Sequence, residues 1–421
     1  GSSLWPNLPA GHRSCCCSGT LTRLRSAMAS DLPRAQQILE QGVRDGLHYG
    51  AQLSVVFRGQ CIDICVGEAA PGVPMTAEHV LHWSSSVKPV LSLALGRLYE
   101  KGLLDFETPV AKYLPSFAVQ GKGSVALAHC LTHTAGLWAA MRGEAPVASP
   151  PAQVVVEVCD QPLAPDWVPG KRCAYDGPAW YIGAAVVAEA DPQNRAYDVF
   201  VEEEIFAPLG LSSCSIGMSA ARYACLHDAQ RLSPLYDMSK QGRAIGWKPI
   251  PDGLDPRHIQ YPCPAGNGRG PACELAALYA ALLPLTPGGS DGEGAKESGW
   301  VPILQPDTID LLTRTAREGI EDELQGTDTA WSLGFALHCI LSGKHASTRA
   351  FGHGGSQSSW AFADPEHGLA VACICNGKPG PESHYRRVGG VSTAVYEDLG
   401  LVPESRTDSL TFKLPMGLGT F

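Results

Sequence analysis

The sequence predicts an α/β chain of the α+β kind: one antiparallel sheet built from N- and C-terminal strands and flanked by helices, plus a mainly helical insert. Three observations carry this. Short apolar or alternating runs bounded by turn residues cluster near residues 50–70 and 331–377, where strands are expected. Helical spacing dominates between them, interrupted by Pro/Gly-rich loops. The chain has 421 residues, 44% hydrophobic and 18% charged, enough for a large core with an insertion and too apolar for a disordered chain. The expected division is an extension over residues 1–30, a sheet unit from 31–84 with 316–421, and a helical unit from 85–315. A crevice should lie between the two units.

The elements follow in order. Residues 1–30 contain three arginines and several serines but no Asp or Glu. They read either as an organellar transit segment or as a disordered extension ahead of Met28. The apolar stretch of a secretory signal is missing, so a cytoplasmic or organellar location is expected, not secretion. A first helix should start at "DLPRAQQILEQGVRDG", with Asp31 as cap, Pro33 in the first turn, and Ala35, Ile38, Leu39 and Val43 on one face. "AQLSVVFRGQCIDICVGEA" reads as a hairpin turning at Arg58-Gly59. "VLSLALGRLYEKGLLD" is apolar all round and should form a helix buried in the interior. The loops "GEAPVASPPAQ" and "PLTPGGSDGEGAKESG" interrupt the middle, the second as a surface insertion. Strands are expected in "WSLGFALHCIL", "RAFGHGG", "SSWAFADP" and "GLAVACICNG", then a last helix at "RRVGGVSTAVYEDLG".

Several functions are excluded by composition. A net charge of −10 without a Lys/Arg stripe gives no footprint for nucleic acid. The apolar runs have strand length, so no membrane span is expected. The 15 cysteines are odd in number, three are consecutive at Cys15–Cys17, and no paired CxxC units appear. That pattern suits a reducing compartment, argues against a structural metal, and leaves Cys373 and Cys375 as core residues on one strand face. No cofactor is expected.

The chemistry is concentrated at "HWSSSVKP", His82–Pro89. A serine hydroxyl becomes a nucleophile only when a neighbouring base takes its proton. Residues three apart on a helix share a face, and only Ser85 has Lys88 at that spacing. Pro89 confines the serines to the first turn, where free N–H groups favour developing negative charge. By itself the S-x-x-K pattern is also compatible with a capping serine and a solvated lysine.

The wider context resembles the class-C β-lactamase-like serine hydrolases, within the β-lactamase/penicillin-binding-protein superfamily. "SSSVKPVLSLALGRLYEKGLLDFETPVAKYLPSF" is similar to that family's serine helix, and "LTHTAGL" to its L-x-T-H-T-S-G-L turn. "WVPGKRCAYDGPAWYIGAAVVAE" is similar to its P-G…Y-S-N segment, "IFAPLGLSSCSIGM" to its I-F-x-P-L-G-M block, and "FGHGGSQSSWAFADPEHGLAVACICNG" to its K/H-x-G strand and hairpin. The matches keep the family's order from about residue 50 to 377. Family VIII carboxylesterases and lovastatin-type acyltransferases are members of the same group.

The resemblance implies a β-lactamase/transpeptidase-like fold and a set of roles. Ser85 would be the acylated nucleophile, with Lys88 and Tyr175 as general base. A phenol is a poor base at neutral pH, so Tyr175 needs Lys88 beside it. The N–H groups of Ser85 and Ser356 would form the oxyanion hole. His353, Gly354 and Gly355 would form the substrate-binding strand, and Trp138, Trp180 and Trp360, with Tyr181, either line a pocket or pack the crevice. His133 would orient a turn near the site. Two positions depart from the family pattern. Gly177 stands where the asparagine of Y-x-N is expected, and His353 stands for the lysine of K-T-G. Both shift the expectation from β-lactams toward small-molecule esters or acyl-thioesters, with no nucleic-acid partner. Three functions follow: a carboxylesterase-like serine hydrolase, an acyltransferase using the same acyl-enzyme, or a catalytically silent ligand-binding member.

Overall fold

The computed structural model describes residues 32–140, 149–240, 246, 249–250, 256–284 and 302–402. The extension over 1–30, and most of the loop beginning at Pro284, lie outside them. The main sheet has eight strands, each antiparallel to its neighbours. From one edge they are β3 (Val73–Pro74), β2 (Gln60–Ala70), β1 (Gly50–Phe57), β12 (Leu369–Cys375), β11 (Ser359–Asp364), β10 (Phe351–Gly355), β9 (Ala336–Leu337) and β8 (Ala330–Trp331), numbered in chain order. Strand β1 lies between β2 and β12, buried along nearly its whole length. Its hairpin turns at Arg58 and Gly59, with φ of 49° and 78°. Such two-residue turns match the right-handed twist of the strands they join.

The uninterrupted apolar runs of β11 and β12 are buried on both faces, but the faces differ in size. Ala361, Ala363, Ala370, Ala372 and Ile374 point into the core that contains the helix Ala272–Ala280, which packs on both strands. Trp360, Phe362, Leu369, Val371, Cys373 and Cys375 point toward the helices Pro33–Arg44 and Pro381–Asp398. Alternation along a strand separates the two sets, and alanine on one side lets a helix backbone approach the sheet closely. Gln52 is buried in the middle of β1 because it caps a helix: its Oε1 accepts from the Ala272 N–H at 2.8 Å, and its Nε2 donates to the carbonyls of Thr76 (2.6 Å) and His79 (3.0 Å). This satisfies one of the amides a helix leaves free at its start.

The serine helix Lys88–Glu100 is buried on almost every side, as its composition requires. A second small sheet leads into it: β4 (Leu81–Ser84) pairs with β7 (Gly268–Gly270), which pairs with β5 (Ser215–Ile216). Asp31, the expected cap of the first helix, lies outside the described residues; the first-turn amides of Arg34 and Ala35 donate to Asp398 Oδ2, at 2.9 and 3.0 Å. Two local expectations need revision. The run "WSLGFALHCIL" makes only the short strands β8 and β9, because Gly334 turns the chain at φ 102°. The last helix starts at Pro381, five residues before Arg386, since proline suits a first helical turn and Glu382 favours its positive end. Among the described residues no helix is long and apolar enough to cross a membrane.

Candidate active site

Strand β4 ends at Ser84, the first of the three serines, in a strained conformation. Ser84 has φ 48° and ψ −138°, a region that side-chain-bearing residues rarely adopt and that costs on the order of 1–3 kcal/mol. The surroundings hold it there. Ser84 Oγ lies 3.2 Å from His82 Nδ1 and 3.3 Å from Ser358 Oγ, and Ser359 Oγ donates to the Trp83 carbonyl at 2.5 Å. Ser86 Oγ donates to the His353 carbonyl at 3.3 Å and lies 3.0 Å from Ser359 Oγ. Ser84 and Ser86 are thus buried rivets between β4 and the β10–β11 hairpin. Ser85 alone of the three remains half-exposed, on a 3-10 turn (Ser85–Val87) that continues into the serine helix.

Lys88 is buried, and its Nζ donates to Ser85 Oγ at 3.1 Å and to the Ala265 carbonyl at 2.7 Å. The same Nζ stands 5.0 Å from the Tyr175 ring centre and 5.3 Å from that of Trp180, whose indole N–H donates to the Lys88 carbonyl. Both rings are within cation–π range of the ammonium.

His133 brackets Tyr175. Its carbonyl accepts from the Ala174 N–H at 3.0 Å, and its Nδ1 accepts from the Asp176 N–H at 3.1 Å. Its ring lies 4.4 Å from Tyr175 and stacks on Trp180 at 4.6 Å. Burial, then the Lys88 charge, hold His133 well below the usual imidazole range. His353 is likewise buried and neutral, pushed down to about 3 by burial and then by Lys88. Its Nδ1–H donates to the Gly354 carbonyl at 2.8 Å, which leaves Nε2 as a lone-pair acceptor without a protein partner.

Gly355 ends β10 against the serine strand. A Cβ at this position would lie 2.4 Å from the Trp83 carbonyl oxygen and 3.0 Å from Ser84 Cβ, so only glycine allows this approach. Ser356, the next residue, is exposed at the start of the turn to β11. The tryptophans separate. Trp180 forms the floor beneath Lys88. Trp138 packs against Ala164, Trp167 and Ala174. Trp360 is fully buried away from this group, its indole N–H donating to Ser392 Oγ at 3.1 Å and its ring edge-on to His384. Tyr181 is buried in the helical core. No motif points to Trp331, yet it meets His133 edge-on at 4.7 Å and His353 at 5.4 Å. Only its strand position is visible in "WSLGF", since its neighbours come from distant segments.

Asp176 adds a buried carboxyl next to Tyr175. Its Oδ1 accepts from the Ala179 N–H at 3.2 Å, while Oδ2 is buried without a hydrogen-bond partner. Burial raises its pKa to about 7, against the pull of the Ala179 bond and the Lys88 charge. A carboxyl raised in this way binds its proton more tightly when folded, so the protein loses stability as pH rises from about 4 toward 7. Asp176→Asn keeps the cap and removes the ionisation. Its unfolding free energy should fall less than that of the natural protein between pH 5 and 8, by about 3 kcal/mol. Denaturant titrations at both pH values check this, and equal pH slopes would refute it.

The fold is the β-lactamase/transpeptidase-like one. The chain belongs to the Beta-lactamase family, whose model matches residues 35–393, and it is an enzyme of that family. It is 25% identical to the esterase/beta-lactamase LipL of Mycobacterium tuberculosis (strain ATCC 25618 / H37Rv) over 361 residues, covering 78% of this chain and 77% of LipL. It is also 25% identical to esterase EstB of Burkholderia gladioli over 393 residues, covering 83% of this chain and 91% of EstB. Among solved structures, EstCE1, a hydrolase with promiscuous acyltransferase activity, superposes with a TM-score of 0.70 at 21% identity, covering 87% of this chain and 98% of that one.

Proposed function

We propose that the protein is a carboxylesterase-like serine hydrolase acting on esters or thioesters through an acyl-Ser85 intermediate. The observation that carries this is the Lys88 Nζ contact with Ser85 Oγ at 3.1 Å, made while Lys88 is anchored to Ala265 and faces Tyr175. In the first step the Ser85 proton passes to the Lys88–Tyr175 pair as Oγ bonds to the substrate carbonyl carbon. The negative charge on the carbonyl oxygen is met by the N–H groups of Ser85 and Ser356. The intermediate collapses by breaking the bond to the alkoxide or thiolate, which leaves with a proton returned by the pair. Water then repeats the sequence on the acyl-serine and releases the acid. The crevice lies between a sheet unit (31–84 and 316–421) and a helical unit (85–315).

Ester selectivity rests on two positions. Gly177 offers no carboxamide to an amide-bearing acyl group, and neutral His353 offers no fixed cation to a substrate carboxylate. Acyl transfer to an alcohol is a second reading, supported by an aromatic enclosure beside the lysine: the Tyr175 and Trp180 rings face its Nζ, and His133 and Trp331 pack against them. Such an enclosure favours an apolar acceptor over bulk water.

A short-chain nitrophenyl ester should give a burst of nitrophenol and an acyl mass adduct on the peptide containing Ser85. An adduct on another residue would overturn the assignment. Failure of any fluorophosphonate to label the protein would favour a silent ligand-binding member. Adding a nucleophilic alcohol and measuring how the acyl group partitions separates the two enzyme readings: a hydrolase yields mainly free acid, a transferase mainly the new ester.

A further inference from the structure

The turn that carries Ser356 is held from behind by a cation without an anion. Arg387, on the helix Pro381–Asp398, is 3% exposed. Its Nη2 donates to the Gln357 carbonyl at 3.0 Å, to the Gly377 carbonyl at 3.4 Å and to His384 Nδ1 at 3.2 Å. Its Nη1 donates to His48 Nδ1 at 2.9 Å and to the Leu47 carbonyl at 3.3 Å. Its Nε is buried without a partner, and among the described residues no carboxylate forms an ion pair with it. Both imidazoles are pushed well below their usual range, by burial first and the Arg387 charge second, so neither competes with it as a cation.

A buried guanidinium with only neutral acceptors is costly to desolvate. What it supplies is strong, forked, charge-assisted bonds to backbone oxygens. One of these oxygens belongs to Gln357, which sits at φ 55°, a left-handed conformation that its side chain disfavours. Other contacts restrain the same turn: the Gly380 N–H donates to Gln357 Oε1 at 2.8 Å, the Cys375 N–H donates to the Ser358 carbonyl at 2.7 Å, and Ser358 Oγ lies 3.3 Å from Ser84 Oγ. Arg387 ties the Gln357 peptide at once to the last helix, to Gly377 just past β12 and to the segment before β1.

We propose that Arg387 is a positioning residue for the turn Ser356–Ser358, fixing the direction of the Ser356 N–H toward the carbonyl oxygen of the bound ester. The proposal rests on the reading of Ser356 as an oxyanion donor. Misplacement of such a donor by about 1 Å costs on the order of 100-fold in rate.

The test compares the natural protein with Arg387→Met and Arg387→Lys. Turnover of a nitrophenyl ester is read beside the affinity of an alkylboronic acid, which forms a tetrahedral anionic adduct on serine. A positioning role lowers kcat roughly 10- to 100-fold in Arg387→Met, leaves KM near its original value, and weakens boronate binding by a matching factor. Arg387→Lys, which keeps the charge but not the fork, should fall between. If Arg387→Met does not fold, Arg387→Lys carries the comparison alone, with kcat and boronate affinity lowered in parallel. Variants that lose thermal stability but keep the original kcat and boronate affinity would overturn the role of Arg387. A natural protein that is acylated at Ser85 yet ignores the boronate would overturn the oxyanion reading itself.

Discussion

Ser85→Ala is expected to lower ester turnover by at least about 10⁴-fold and to abolish the covalent adduct. The size follows from the site: Ser85 is the only half-exposed hydroxyl of the three, and Lys88 Nζ lies 3.1 Å from its oxygen. Lys88 keeps its second anchor on the Ala265 carbonyl, and one half-exposed hydroxyl is lost, so the variant should fold with stability changed by no more than about 1 kcal/mol. Ser84→Ala and Ser86→Ala provide the contrast. Each removes a buried rivet to the β10–β11 hairpin, so stability and rate should both suffer, but the adduct stays on Ser85. Peptide mapping after labelling decides this, and undiminished turnover by Ser85→Ala would end the acyl-Ser85 mechanism.

Gly355→Ala should be the next most damaging change, although it adds a single methyl group. Its Cβ would fall 2.2 Å from Ser359 Oγ and 2.4 Å from the Trp83 carbonyl oxygen. Strand β10 would have to move away from β4, carrying Ser356, the proposed oxyanion donor, with it. Turnover should drop about 100- to 1000-fold, the range for losing an oxyanion donor. Overpacking at this junction should remove about 1–3 kcal/mol of stability. Gly354→Ala is the control: its Cβ meets only the Leu341 side chain, at 3.1 Å, which can give way. Equal kcat values for the two variants would show that the approach of β10 to the serine strand is not needed.

Local rules make the first half of the site legible in the amino-acid sequence. The i, i+3 spacing singles out Ser85 and Lys88, and Arg58-Gly59 announces its hairpin. Tyr175 is visible only through its flanking motif, because a lone tyrosine carries no local sign of a distant lysine. An orienting role for His133 can be expected from its turn, but the way its carbonyl and ring bracket Tyr175 belongs to tertiary structure. Trp331 and Arg387 escape for the same reason: each gains its partners from segments far away in the chain. Trp360 shows the converse. It neighbours the substrate strand in sequence, yet alternation along β11 turns it toward the opposite core, where Ser392 holds it. The cap on the first helix lies beyond local reading too, since Asp398 comes from the other end of the chain.

The alanine-lined face of β11 and β12 has a bearing on how this enzyme can diversify. The helix Ala272–Ala280 rests on that face, its first amide is tied to Gln52 of the central strand, and only a few residues upstream lies Ala265, whose carbonyl holds the Lys88 ammonium at 2.7 Å. The sheet therefore acts as a datum plane from which the height of the lysine is measured. A bulkier side chain at Ala361 or Ala372 would be transmitted through the helix to Lys88, the base in the proposed mechanism. New specificities can be sought among the loops around Tyr175 and Trp331, while this quiet, small-residue surface has to stay as thin as it is.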